Sequence, residues 1–213
     1  DDTKGYRQLP YKKYAYVKDR NGQHISLYGE RLKRATSFDK DDPTLHESDI
    51  PPMTRFLVDQ YTDSDESSVG HRVMFFDIEV EVTEGFPDVQ KAYNPITSIA
   101  LYDCIAEKYF TYCFDPHKRI ESYEKGEEVV EFYETEYEML NKFFQKYLEI
   151  RPTIISGWNS EFFDIPYLYN RAVRILGPEL ANLLSPISQV IYSEYKKKHT
   201  IAGVSSLDYL QLY

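Results

Sequence analysis

Cysteine and long apolar runs are scarce in this sequence, and basic residues are outnumbered by acidic ones. The two cysteines, Cys104 and Cys113, do not form a C-x-x-C pair, which argues against a zinc site. They lie in a stretch read as a hairpin over residues 96–114 that turns near Ala106 and Glu107. There Cys104 faces about residue 109 and Cys113 about residue 100, so no disulfide is expected and a reducing compartment fits. No apolar run approaches a membrane span, and the N-terminal DDTKGYRQLP lacks a signal-peptide core; a soluble, intracellular protein without membrane contact is expected. Acidic residues outnumber basic ones 35 to 25, a net charge of −10. That argues against bulk attraction to nucleic acid or to an anionic membrane. It leaves open a nucleic-acid site whose acids a metal neutralises. Aromatics, by contrast, are plentiful: 20 Tyr and 12 Phe in 213 residues suffice for one well-buried domain, or one domain and part of another.

Residues 1–70 hold no coherent chemical motif. Short strands are expected at residues 14–17 and 24–27 around the Asn21-Gly22 turn, and another at residues 55–60 after Pro51-Pro52. The polar run TDSDESSVG at residues 62–70 reads as a domain boundary. The pattern sharpens in VMFFDIEVEV, residues 73–82. Read as a strand, it places Met74, Phe76, Ile78, Val80 and Val82 on an apolar face, with Val73, Phe75, Asp77, Glu79 and Glu81 on the other. Neighbouring acids on one face repel and resist desolvation unless a cation or proton intervenes. A divalent metal resolves this; so does simple solvation of the strand's polar end. The following loop contains Gly85-Phe86-Pro87, where Phe86 is either a plug over core or an exposed stacking surface.

Further on, residues 135–150 read as an amphipathic helix, with Thr135 and Glu138 as a capping box and Tyr137, Leu140, Phe144, Tyr147 and Leu148 as its buried stripe. Pro152 ends it, and residues 153–157 form a short strand. GWNSEFFDIPYLY, residues 157–169, leads into a second helix with Ile165, Leu168, Ala172 and Ile175 inward. Here Asp164 is either a helix cap or a metal ligand, Asn159 a brace for the turn, and Trp158 core. Residues 189–192 and 200–204 read as hairpin arms with Lys196, Lys197, Lys198 and His199 near the tip. Asp208 is placed to cap a final helix.

FDIE at residues 76–79 and GWNSEFFDIPY at residues 157–167, in this order and with a hairpin and helix between, resemble the first two exonuclease motifs of family B DNA polymerases. The resemblance extends to the T-even-like bacteriophage members, in which a similar FDIEV precedes a GFP loop and a later segment resembles LDYLQLY. It covers residues 71–213, and more weakly YGERLKR and IPPMTRFLVDQY upstream. It implies an α/β, ribonuclease-H-like mixed sheet flanked by helices over residues 71–213, preceded by part of a small, mainly β polymerase N-terminal domain over residues 1–70. The implied activity is 3′→5′ proofreading of a DNA primer end in viral replication, in the cytoplasm of an infected bacterium. Asp77, Glu79 and Asp164 match the family's metal ligands and catalytic carboxylates. Asn159 matches an asparagine near the bound strand, and Phe86 matches an aromatic that stacks on substrate bases, a contact worth ~1–3 kcal/mol per base. Lys196, Lys197 and Lys198 are then DNA contacts on a strand-partitioning hairpin. Two divalent cations, Mg²⁺ or Mn²⁺, suit the oxygen ligands, with Asp77 expected to bridge both, Glu79 to orient the attacking water and Asp164 to complete the second site. The partners implied are single-stranded or primer–template DNA and the remainder of the polymerase chain, without oligomerisation. The family's third motif, a Tyr followed four residues later by an Asp, has no match. The sequence is therefore expected to stop short of it and to be weak or inactive alone. A catalytically silent DNA-binding or interaction module, and another ribonuclease-H-like nuclease acting on RNA, are the competing readings.

Overall fold

The computed structural model describes residues 11–65, 67, 69–83 and 85–213, and the chain divides into two units, Asp1–Ser67 and Ser68–Tyr213. In the first, β1 (Ala15–Lys18), β2 (His24–Ile25) and β3 (Arg31–Ala35) form an antiparallel sheet in the order β1-β3-β2. The two strands expected around Asn21-Gly22 thus do not pair with each other. β3 lies between them, and its sequence RLKRA hides it, since its single buried position is Leu32. Gly22 permits the insertion: a Cβ there would stand 2.3 Å from the Leu32 carbonyl oxygen. The strand expected at residues 55–60 is instead part of a helix, α1 (Pro52–Tyr61). Pro52 opens it, because proline in a first turn forfeits no helical hydrogen bond. α1 turns Arg55 inward over the rings of Tyr14 and Tyr16, at 4.7 and 5.6 Å, with Glu47 as its ion partner. A cation stacked on aromatic rings keeps favourable electrostatics while desolvated.

The second unit is a seven-stranded mixed sheet. Its strands are β4 (Val73–Val80), β5 (Ile96–Asp103), β6 (Lys108–Phe114), β7 (Tyr123–Lys125), β8 (Glu128–Tyr133), β9 (Ile154–Gly157) and β12 (Ser205–Asp208). The spatial order is β12-β9-β4-β5-β6-β8-β7. β12, β9 and β4 run parallel, so their carboxyl ends point to the same end of the sheet. Helices α2 (Glu136–Ile150) and α3 (Asp164–Ile175) are followed by α4 (Pro178–Ala181) and a 3₁₀ turn at Asn182–Leu184. A separate hairpin pairs β10 (Val190–Ser193) with β11 (Lys198–Ile201), and α5 (Tyr209–Leu212) follows β12. This is the mixed sheet with flanking helices that the sequence implies. Met74, Phe76 and Ile78 of β4 are buried as the alternation requires, and they share one core with α2 and α3. No helix among the described residues is long and apolar enough to cross a membrane.

Several details differ from expectation. α2 buries Met139, Leu140, Phe143, Phe144, Tyr147 and Ile150, while Tyr137 and Leu148 are exposed. Both stripes satisfy a 3.6-residue period; the sheet selects the phase that brings in Met139 and Phe143. Thr135 caps the helix, accepting from the Glu138 N–H at 3.2 Å, but the Glu138 carboxylate takes the Thr135 hydroxyl at 2.9 Å instead of a backbone N–H. Cys113 stands opposite Ser98 rather than residue 100, and both cysteines are free. In the β10–β11 hairpin the tip is residues 194–197. His199 is buried in the arm between the Tyr169 and Tyr192 rings, at 4.9 and 5.0 Å. Trp158 is not core: it is 55 % exposed.

Candidate active site

The carboxyl ends of β4 and β9 part company, and the gap between them is where the acidic residues gather. β4 and β9 pair only as far as Phe75 and Ser156. Beyond that point the Ile78 N–H, which points to the β9 side, has no strand acceptor. Asp164 supplies one: its Oδ1 accepts from the Ile78 N–H at 3.0 Å. Asp164 is thus the first residue of α3, not its cap, which is Phe163. Its carboxylate is directed to the centre of the Asp77-Ile78-Glu79 triplet. Asp77 and Glu79 themselves are exposed on the face opposite the core. Beside Glu79 the β4–β5 register slips, Glu79 facing Ser98 and Val80 facing Ile96, which leaves Thr97 as the extra residue. Such bulges re-aim side chains at strand ends.

Close approach makes the gap possible. Gly157 ends β9 against β4, and a Cβ there would lie 2.7 Å from the Phe76 carbonyl oxygen. The chain then turns through Asn159, whose φ of 57° is the left-handed conformation that asparagine tolerates better than most residues. Asp208, at the end of β12, receives the Asn159 N–H at 2.9 Å and the Glu161 N–H at 3.0 Å, besides capping α5 through the Leu210 N–H at 3.0 Å. Sequence reasoning gave Asp208 only the last of these. Its bracing of the 158–163 turn depends on a parallel strand pairing that residue patterns do not reveal.

Asp164 is 3 % exposed. Burial pushes its pKa up to about 6; the Ile78 N–H opposes this, and the negative charges of Asp77 and Asp208 add to it. The structure therefore holds a desolvated carboxylate, Asp164, within electrostatic reach of the carboxylates of Asp77 and Asp208. An oxygen-only donor set of this kind fits a hard divalent ion, although among the described residues no three His, Cys, Asp or Glu side chains converge on one point.

The remaining expected residues divide. Phe86 is 80 % exposed, its ring 5.3 Å from that of Phe163. The two border a shallow groove of about 360 Å³ that includes Ile78 and Glu79. Phe86 is thus a surface aromatic near the carboxylates, not a core plug. Lys198 is drawn inward to an ion pair with Glu161 at 2.5 Å, and Lys197 pairs with Glu194. Lys196 stands exposed at the hairpin tip.

The model of the exonuclease domain of family B DNA polymerases matches residues 57–213. The chain belongs to this family. Among curated relatives, the family B exonuclease domain described here is 34 % identical to the DNA-directed DNA polymerase of Escherichia phage RB69 over 171 residues, or 67 % of this chain and 19 % of that protein. It is 34 % identical to the DNA-directed DNA polymerase of Enterobacteria phage T4 over 165 residues, 63 % of this chain and 18 % of the relative. A DNA polymerase of Pyrococcus glycovorans is 30 % identical over 131 residues. The chain spans about a fifth of the length of the two phage polymerases.

Proposed function

We propose that this chain carries the 3′→5′ exonuclease of a phage-type family B DNA polymerase and hydrolyses the terminal phosphodiester of a DNA 3′ end during proofreading. The carrying observation is that the Asp164 carboxylate accepts, at 3.0 Å, the N–H of Ile78, the residue that separates Asp77 from Glu79 in the strand. Exonuclease domains of this family depend on divalent metal. On this reading Asp77, Glu79 and Asp164 hold Mg²⁺ or Mn²⁺. When bound, such ions stabilise the negative charge that develops on the attacking water and on the departing sugar oxygen.

The protein's own contribution is positioning. Asp164, seated in the gap, is held there by the Ile78 N–H. Phe86 offers a ring for the terminal base, and Asn159 lies on the turn that leads to Asp164. Lys196 is the lysine of the hairpin left for phosphate contact, since Lys197 and Lys198 are neutralised by glutamates. The unit preceding the exonuclease unit belongs, on this reading, to the polymerase's N-terminal domain. The remainder of the polymerase chain and primer–template DNA are the partners, in the cytoplasm of the infected bacterium.

The test is cleavage of a 5′-labelled single-stranded DNA with Mn²⁺, beside the same oligonucleotide in RNA form. With the chain carried on through the family's third motif, a ladder shortening from the 3′ end, confined to DNA and abolished in Asp77→Ala, is the expected result. Shortening from the 5′ end, or preference for RNA, would overturn the reading.

A further inference from the structure

Residues 81–95, which join β4 to β5, carry Phe86, and the far half of this loop is fastened to α3 by side chains. α3 turns Tyr167, Asn170, Arg171 and Arg174 toward it, positions three and four apart that form one stripe of a helix. Tyr167 Oη donates to the Asn94 carbonyl at 2.9 Å, and Asn170 Nδ2 to the Val89 carbonyl at 2.9 Å. Arg171 Nη1 donates to the carbonyls of Ala92 at 3.1 Å and Tyr93 at 2.6 Å. The Arg174 guanidinium lies 4.6 Å from the centre of the Tyr93 ring. Four carbonyls of an irregular loop thus find donors on one helix, as backbone groups taken from water must.

The other edge of the Arg171 guanidinium is held by Glu136, the first residue of α2. Nε donates to Oε1 at 2.8 Å and Nη2 to Oε2 at 2.5 Å. Glu136 Oε1 also accepts from the N–H of Ile96, the first residue of β5, at 2.8 Å. Arg171 and Glu136 are 7 % and 8 % exposed. A buried ion pair is expensive to desolvate, and apolar residues of similar volume often stabilise a fold as well. What such residues lack is the planar fork, which fixes a guanidinium against a carboxylate in one orientation while leaving donors for carbonyls. The pair therefore sets the loop's position against α2, α3 and β5 together. The same α3 begins with Asp164 on the Ile78 N–H. One helix fixes the buried carboxylate at its first turn and the aromatic loop over the turns that follow.

We propose that Arg171 and Glu136 are positioning residues that lock residues 85–94, so that Phe86 stands at a set reach from the carboxylates to receive the terminal base. The stacking half of this proposal rests on the exonuclease reading; the lock does not.

The test is the double variant Arg171→Met with Glu136→Gln, which keeps side-chain volume, leaves Ile96 an acceptor and buries no lone charge. Two quantities are measured without divalent ions. In hydrogen exchange, the N–H of Ala92, bonded to Asp88, and that of Glu81, bonded to Pro95, should exchange roughly tenfold faster or more, while α2 and β5 keep wild-type protection. On a single-stranded DNA ending in 3′ 2-aminopurine, wild type should quench the fluorophore. The double variant should fall to the level of Phe86→Ala, with no further loss when the two changes are combined. Should the double variant lose its fold, Arg171→Lys keeps the charge opposite Glu136 but not the fork, and should show the same loop-selective exchange. Wild-type exchange at Ala92 and Glu81 in a folded variant, or undiminished quenching, would overturn the proposal. Equal quenching by wild type and Phe86→Ala would defeat the stacking reading, and the exchange data would still decide the lock.

Discussion

Removing the charge of Asp164 should make the metal-free protein more stable, and by an amount that depends on pH. Asp164 has a pKa of about 6 against an ordinary 3.8 because it is buried near Asp77 and Asp208. The folded chain therefore binds more protons than the unfolded chain between these values. Stability contributed by this group is highest below the unfolded pKa and is lost as pH rises through the folded one. A shift of about two units corresponds to about 3 kcal/mol lost by neutral pH. Asp164→Asn imitates the protonated carboxyl, preserves volume and keeps an oxygen for the Ile78 N–H. It should stabilise the exonuclease unit by about 3 kcal/mol at about pH 7 and by less than about 1 kcal/mol near pH 4. The assay is urea unfolding in a chelator, followed by the fluorescence of Trp158, the sole tryptophan, which adjoins the site. Adding Mn²⁺ should then raise the stability of wild type but not of the variant, since a ligand stabilises the state that binds it. An Asn variant that is destabilised at neutral pH, or whose effect is the same at every pH, would refute the electrostatic account of this site.

Three further outcomes follow from the geometry. Gly157→Ala would push a methyl group to 2.7 Å from the Phe76 oxygen and 3.0 Å from the Ser160 Cβ, so a loss of ~1–3 kcal/mol is expected in the same unfolding assay. Lys196→Glu should weaken single-stranded DNA binding at low salt and reduce the slope of log affinity against log salt by about one; Lys198→Met, which strands Glu161, should instead lower the unfolding midpoint.

The sheet and its two helices are legible in the sequence because β4 alternates strictly and α3 carries a strong apolar stripe. What the sequence conceals are elements whose residues are polar for reasons of partner and edge. β3 is mostly basic, β7 and β8 are rich in glutamate, and β12 is the short segment SSLD that exists through its pairing with β9. The helical stripe of α2 is readable in period and only partly in phase: Leu140, Phe144 and Tyr147 are buried as expected, Tyr137 and Leu148 are not. Within the site, Asp77, Glu79 and Asp164 are conspicuous because charged residues interrupt apolar runs. Asp208, Arg171 and Glu136 are not, since their partners lie 35 to 79 residues away. Lys198 misleads for the same reason: a lysine run reads as solvated until Glu161 is found beside it.

The most direct test of the central claim is calorimetric titration of the folded chain with Mn²⁺, run beside Asp77→Ala. Binding in wild type that disappears in the variant is the predicted result, and would place the metal on the Asp77-Ile78-Glu79 strand. A folded wild type that takes up no Mn²⁺, or an Asp77→Ala variant that binds it equally well, would contradict the account and leave a metal-silent DNA-binding module as the reading to pursue.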